Sequence, residues 1–334
     1  MEDYSWTTAD DGVSARSFFL QRETEKRSLK RQSIRAGLCV IAYVLLDLAL
    51  FYLLICTRLL GLYQGNETAR ELMEMFFYLL CMFVPFAAAY ALMRSEEKDT
   101  LTLFQKPVSR LAALTAIPVG FLVCSASNYV TNLVLSFLEG LGFSIGGGTY
   151  ETPMTAVSLV FSLLTIGILP AFVEEFALRG VIMQPLRKHG DGFAIVMSAF
   201  VFALMHGNLS QFTFAFPVGI AIGYFVVTTG SIWVGAAIHL LNNTYSVVLN
   251  FLLDWRPTAA DTFYNITNSV SIVLGVVCIA VYWKLCPNKN RLQKGSLALT
   301  SGEKASAYLF TFPMVIAVII LVIKTLRLIR YEGM

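Results

Sequence analysis

Charge is what this 334-residue chain has little of: Asp, Glu, Lys and Arg make up 14% of it, against 56% hydrophobic residues. A soluble domain carries about a quarter charged residues, so that class is excluded. The shortage is uneven, because from Gly192 to Leu253 not one Asp, Glu, Lys or Arg occurs. Histidine is scarcer still, with three in the chain, and His206 and His239 both fall in that uncharged stretch. The six cysteines (Cys39, Cys56, Cys81, Cys124, Cys278 and Cys286) have no CxxC or Cys/His spacing. They read as lipid-facing or core residues rather than metal or redox motifs. There is no internal repeat, low-complexity tract or soluble domain. The first apolar run, 36–57, is longer than a signal core and lacks a small-residue cleavage site, so no signal peptide is expected. A net charge of +3 gives no reason to expect nucleic acid as a partner.

What is present is a series of apolar runs. A spanning helix needs about 20 mostly apolar residues to cross about 30 Å of hydrocarbon. Such runs are expected at 36–57, 75–93, 111–138, from 154 into the glutamates described below, 193–206, 212–229, 231–253, 262–283 and 305–323. The reading is an all-α polytopic integral membrane bundle of about 8–9 transmembrane helices, its main partner the lipid bilayer. Arg22, Lys26, Arg27, Lys30, Arg31 and Arg35 precede the first span, which places the N-terminus in the cytoplasm and suggests the plasma membrane. Connections expected on the same side carry Arg94, Lys98, Lys106, Arg110, Arg187, Lys188, Lys284, Lys289, Arg291 and Lys294. Nine spans would put the tail with Lys324, Arg327 and Arg330 on the other side, against that bias. The expected organisation is a basic segment 1–35, accessory helices 36–153, a core 154–253, and further helices with a tail 254–334. Oligomeric state is unspecified.

The stretch AFVEEFALRG, 171–180, breaks the pattern by placing Glu174, Glu175 and Arg179 in a helix-compatible apolar context. Ionised groups in hydrocarbon cost several kcal/mol unless paired or hydrated, so they are functional candidates. Glu175 and Arg179, at i and i+4 with the acid first, suit a helical ion pair. Glu174 points about 100° away and lacks that partner. Pro170 is expected to kink or restart the helix, making the segment from 154 a separate leg. At about 1.5 Å per residue, His206 lies roughly 20 Å into its span, and His239 and Asn243 roughly 12–18 Å into theirs. Three helices can therefore bring Glu174, His206, His239 and Asn243 to one interior cavity. Two chemistries fit. In one, Glu174 and His206 deprotonate and orient a water while His239 and Asn243 stabilise an oxyanion. In the other, Glu174, His206 and His239 hold a divalent ion such as zinc.

Glu174-Glu175 with Arg179, Phe202 with His206, and His239 with Asn243 follow the EExxxR, FxxxH and HxxxN/D motifs on successive helices, about 30 residues apart. In this the chain resembles the CPBP family of intramembrane proteases, which includes the type II CAAX prenyl endopeptidases and bacteriocin-processing or self-immunity proteins. Leu178 stands where family members often have Phe or Tyr. The resemblance covers roughly 155–253 and implies an intramembrane endopeptidase acting on a membrane-associated protein or peptide. It implies Glu174 as activating base, His206 as its partner or a ligand, and His239 with Asn243 as oxyanion site or further ligands. It leaves open whether a metal takes part.

Other residues read more plainly. Glu175 with Arg179 is expected to be a structural pair. Phe202 is expected to pack near the site, Asn242 to have no special role, and His189 to be solvated in a loop. Asp47 and Glu74 are expected to be interfacial or packing residues. The cavity is expected to open toward the half holding the N-terminus. Two other classes stay open: a proton-coupled carrier, since Glu/His clusters also relay protons, and a non-proteolytic immunity or scaffold member of the same family.

Overall fold

The computed structural model describes residues 8–94, 97, 105–146, 155–285, 292–295 and 298–333. Lys98, Cys286, Lys289 and Arg291 lie outside the described residues. Among the described residues eleven helices carry the fold: α1 (Thr8–Cys56), α2 (Leu59–Gly65), α3 (Glu67–Ala91), α4 (Arg110–Gly140), α5 (Ala156–His189), α6 (Asp191–Met205), α7 (Leu209–Thr229), α8 (Ile232–Trp255), α9 (Pro257–Leu285), α10 (Ser301–Leu309) and α11 (Phe312–Leu326). Seven of these are long and apolar enough to cross a membrane, and α10 with α11 form an eighth candidate bent by 80°. The chain is a polytopic helical membrane protein.

The bundle has two ends. The charged part of α1, the α5–α6 turn and α10 meet at one, called basal below: Arg22 donates to Glu303 Oε1 at 2.5 Å, and His189 Nδ1 lies 3.1 Å from Glu25 Oε1. At the other, distal end, β1 (Phe143–Ile145), just after α4, pairs antiparallel with β2 (Ile329–Tyr331), just after α11. The α11 helix runs parallel to α1, since Gly37 meets Met314 and Asp47 lies 3.9 Å from Lys324. The chain therefore starts basally and finishes distally. That matches an odd number of crossings, with α6 as the ninth segment.

The expected continuous span 305–323 is instead broken. Thr300 and Glu303 make a capping box that starts α10, and Pro313 in the first turn of α11 starts a second helix. Pro170 does not break α5. The strain is absorbed by π-helical turns at Leu163–Ile168, just before it, and the chain continues unbroken to His189. His189 is buried rather than solvated: Ser28, Glu25 and the amine of Lys304, which donates to the His189 carbonyl at 2.9 Å, enclose it. Glu97 is a second basal anchor. Burial raises its pKa, but hydrogen bonds and charge from Arg35 and Arg31, at 2.6 and 2.7 Å, win and hold it below the usual carboxylate range. Glu74 accepts from Tyr63 at 2.7 Å.

The α6 helix is the short one. Its 15 residues rise about 22 Å, less than a bilayer core, and the turn after it is buried at Gly207 and Asn208. Gly207 takes φ of +67°, with the Lys324 side chain lying over it. Asn208 then caps α7 by accepting from the Gln211 amide at 2.8 Å.

Close backbone approach holds α11 to α1. A Cβ at Gly37 would stand 2.6 Å from the Met314 nitrogen and 2.7 Å from the Pro313 carbonyl carbon. Gly37→Ala is expected to destabilise the fold by about 1–3 kcal/mol through forced separation of the two helices. Gly302→Ala, where a Cβ meets nothing within 4 Å, is expected to have little effect. Thermal unfolding of both variants in detergent checks the contrast.

Candidate active site

The Glu175–Met183 stretch of α5 is π-helical, and this wider turn carries the charged residues. Glu175 and Arg179 are each about 1% exposed, with Arg179 Nη1 donating to Glu175 Oε1 at 2.9 Å. Arg179 also donates to the Gly219 carbonyl of α7 at 3.2 Å and lies over the Phe202 ring of α6, 4.8 Å from its centre. The same carboxylate oxygen of Glu175 is 3.1 Å from His239 Nδ1 on α8. One ion pair thus ties α5, α6, α7 and α8 together.

These contacts set the imidazoles. An ionised Glu175 can only accept, so His239 presents Nδ1–H to it and turns Nε2 toward Glu174 Oε2, 3.7 Å away. A carbonyl can only accept as well, so His206 donates Nδ1–H to Phe202 O at 2.9 Å, leaving its Nε2 for the cavity. Phe202 packs edge-on against both rings, 4.9 Å from His206 and 5.9 Å from His239. Asn243 Nδ2 donates to the Ile166 carbonyl at 2.8 Å, and its Oδ1 accepts from Asn242 at 3.1 Å. That fixes the amide's orientation and leaves one N–H unused. Asn242, expected to be idle, is the group that orients Asn243. The freed Ile166 carbonyl belongs to the π-helical turns before Pro170.

Glu174 is not isolated. Its Oε1 accepts from Tyr78 of α3 at 3.1 Å. Tyr78 was invisible to sequence reasoning, since it is one of 14 tyrosines and lies about a hundred residues before the glutamates with no motif around it.

Glu174, His206, His239 and Asn243 all line one cavity of about 440 Å³, together with Tyr78 and Gln211. A smaller space of about 160 Å³ between α1, α3 and α6 also reaches Glu174 and His206. The main cavity extends distally: Ser162 is near the distal start of α5 and Asn250 near the distal end of α8. This differs from the expected opening toward the N-terminal half. The reason is the short α6, which ends at Met205 and leaves room beyond it.

The donor chemistry of two imidazoles and a carboxylate is of a kind that binds zinc. The spacing is not. Among the described residues no three His, Cys, Asp or Glu side chains are grouped closely enough to hold a metal ion. As placed, these side chains can accept and pass protons and donate hydrogen bonds.

Residues 156–245 match the family described as type II CAAX prenyl endopeptidase, Rce1-like. A protein of Bacillus subtilis (strain 168) named "Putative membrane peptidase YdiL" is 24% identical over 182 residues, covering 54% of this chain and 72% of that protein. No solved structure matches.

Arg179→Ala is expected to cost about 3–5 kcal/mol, because it leaves the Glu175 carboxylate buried without its cation. Gly235→Ala should also destabilise, since its Cβ would meet Val226 Cγ2 at 2.7 Å and Glu175 Oε2 at 2.9 Å. Glu174→Gln, which keeps shape and can still accept from Tyr78, should unfold at the wild-type temperature. Equal loss of stability in all three would remove the distinction between the Glu175 clamp and the Glu174 face.

Proposed function

With residues 156–245 matching the Rce1-like family model, we propose that the chain is an intramembrane endopeptidase that hydrolyses a peptide bond of a membrane-associated protein or peptide. The observation that carries this reading is the pair of oriented imidazoles beside Glu174 in one cavity.

In this reading a water lies between Glu174 and His206. Glu174 removes its proton as the oxygen attacks the scissile carbonyl carbon, and His206 Nε2 accepts the other hydrogen bond to aim it. Tyr78 holds the carboxylate in place. The developing oxyanion takes a hydrogen bond from the spare N–H of Asn243 and is faced by the His239 ring. The proton on Glu174 goes to the leaving amine as the C–N bond breaks. Glu175 and Arg179 touch no reacting atom and act by positioning His239 and Phe202.

The chain sits in the plasma membrane with its basal end in the cytoplasm. That orientation is supported by the Lys and Arg of the basal connections, among them Arg94, Arg110, Arg187, Lys188, Lys284 and Lys294.

Comparison of peptide N-termini in membranes from cells making the wild type and the Glu174→Gln variant tests the proposal. N-termini present with the wild type should fall by about a hundredfold or more with the variant, and likewise with His206→Ala. Tyr78→Phe should slow their appearance by about tenfold, the worth of one hydrogen bond to a charged group. Identical N-termini in wild type and Glu174→Gln, at equal amounts of folded protein, would sink the proposal.

A further inference from the structure

Beyond the catalytic residues, the helices carry a second polar feature. A pocket of about 300 Å³ lies between α4, α8 and α9. Its wall is built from polar stripes at helical spacing: Ser125, Asn128 and Asn132 on α4, Ser246 and Asn250 on α8, and Tyr264 with Asn268 on α9. Ser246 and Asn250 also line the catalytic cavity, so the two spaces share a wall. On α8 the stripe begins with Asn243, and Asn250 follows two turns later, about 10 Å toward the distal end.

No charged side chain lines this pocket, which makes an ionic ligand a poor fit. Asn268 donates to the Tyr129 hydroxyl at 2.6 Å. The side chains of Asn128, Asn132 and Asn250 hydrogen-bond to nothing among the described residues. Three carboxamides, each both donor and acceptor, thus stand exposed along the pocket, open to an incoming chain.

We propose that this pocket is a substrate subsite that binds the main chain of an extended polypeptide segment next to the bond to be cut. The inference rests on the endopeptidase reading. A peptide bond can be attacked only where its segment has left the helix, and its N–H and C=O groups then lose their partners. Inside a membrane each unpaired group costs several kcal/mol. Carboxamides replace those partners without charge, because a primary amide pairs with a peptide group through one donor and one acceptor. At about 3.3 Å per residue, three extended residues bridge the 10 Å from the level of Asn243 to that of Asn250. The subsite therefore recognises backbone rather than side-chain identity, and it feeds the cavity from its distal end.

A photo-crosslinker tests this. Benzoylphenylalanine at position 132, in the Glu174→Gln background, should capture the same polypeptides whose new N-termini appear with the wild type. The same probe at Leu133, 72% exposed and off the pocket, should not. Capture at 132 alone supports the subsite. Equal capture at both positions, or none, while Glu174-dependent N-termini persist, overturns it and leaves the endopeptidase standing, with the pocket a water-filled vestibule. Absence of any Glu174-dependent N-terminus would fail the function and the subsite together. In parallel, the Asn132→Leu, Asn250→Leu double variant should lower Glu174-dependent cleavage about tenfold, as two lost hydrogen bonds imply. Wild-type cleavage by that variant counts against the subsite.

Discussion

The fold around the site depends on one oxygen. Glu175 Oε1 receives both the Arg179 guanidinium and the His239 ring, in a place from which water is excluded. A buried pair of this kind gives little net stability by itself, because two charges lose their hydration. Its value is positional. Arg179 reaches on to the Gly219 carbonyl and the Phe202 ring, and Phe202 packs edge-on against both histidines. The geometry of three helices is therefore referred to a single carboxylate.

The second constraint is the irregularity of α5. Two π-helical stretches flank Pro170 and Glu174. Pro170, lacking an N–H, cannot take up the Ile166 carbonyl four residues before it, and that carbonyl orients Asn243 instead. The second stretch widens the turn so that consecutive glutamates meet opposite nitrogens of one imidazole, Glu174 near Nε2 and Glu175 near Nδ1.

Much of this was legible in the sequence, and the reasons it was or was not are physical. The apolar runs announced the helices, since length and hydropathy alone decide whether a segment suits a bilayer. Glu174, Glu175, Arg179, His206 and His239 stood out because ionisable groups are rare there; Glu174, His206, His239 and Asn243 line one cavity, and Glu175 with Arg179 lies buried behind it. The misses share a cause. The tertiary role of Tyr78, the burial of His189 among Glu25, Ser28 and Lys304, and the bend before α11 depend on partners far away in the chain. Pro170 misled for a related reason: neighbouring helices can re-satisfy the backbone groups that a proline frees, so a break was not required. The asparagine stripes of α4 and α9 were present as periodicity but carried no sign that they face the same pocket as α8.

The polar face of α8 also bears on how the protein is made. His239, Asn242, Asn243, Ser246 and Asn250 leave it the least apolar of the seven long helices. A segment so poorly matched to lipid partitions weakly from the translocation channel when alone. It becomes comfortable only against the hydrogen-bonding surface of α5 and the packed faces of α4 and α7, all of which emerge earlier from the ribosome. The order of elements along the chain thus lets the chemically richest helix arrive after its hosts, and retention of α8 during biogenesis becomes a property of the assembled bundle.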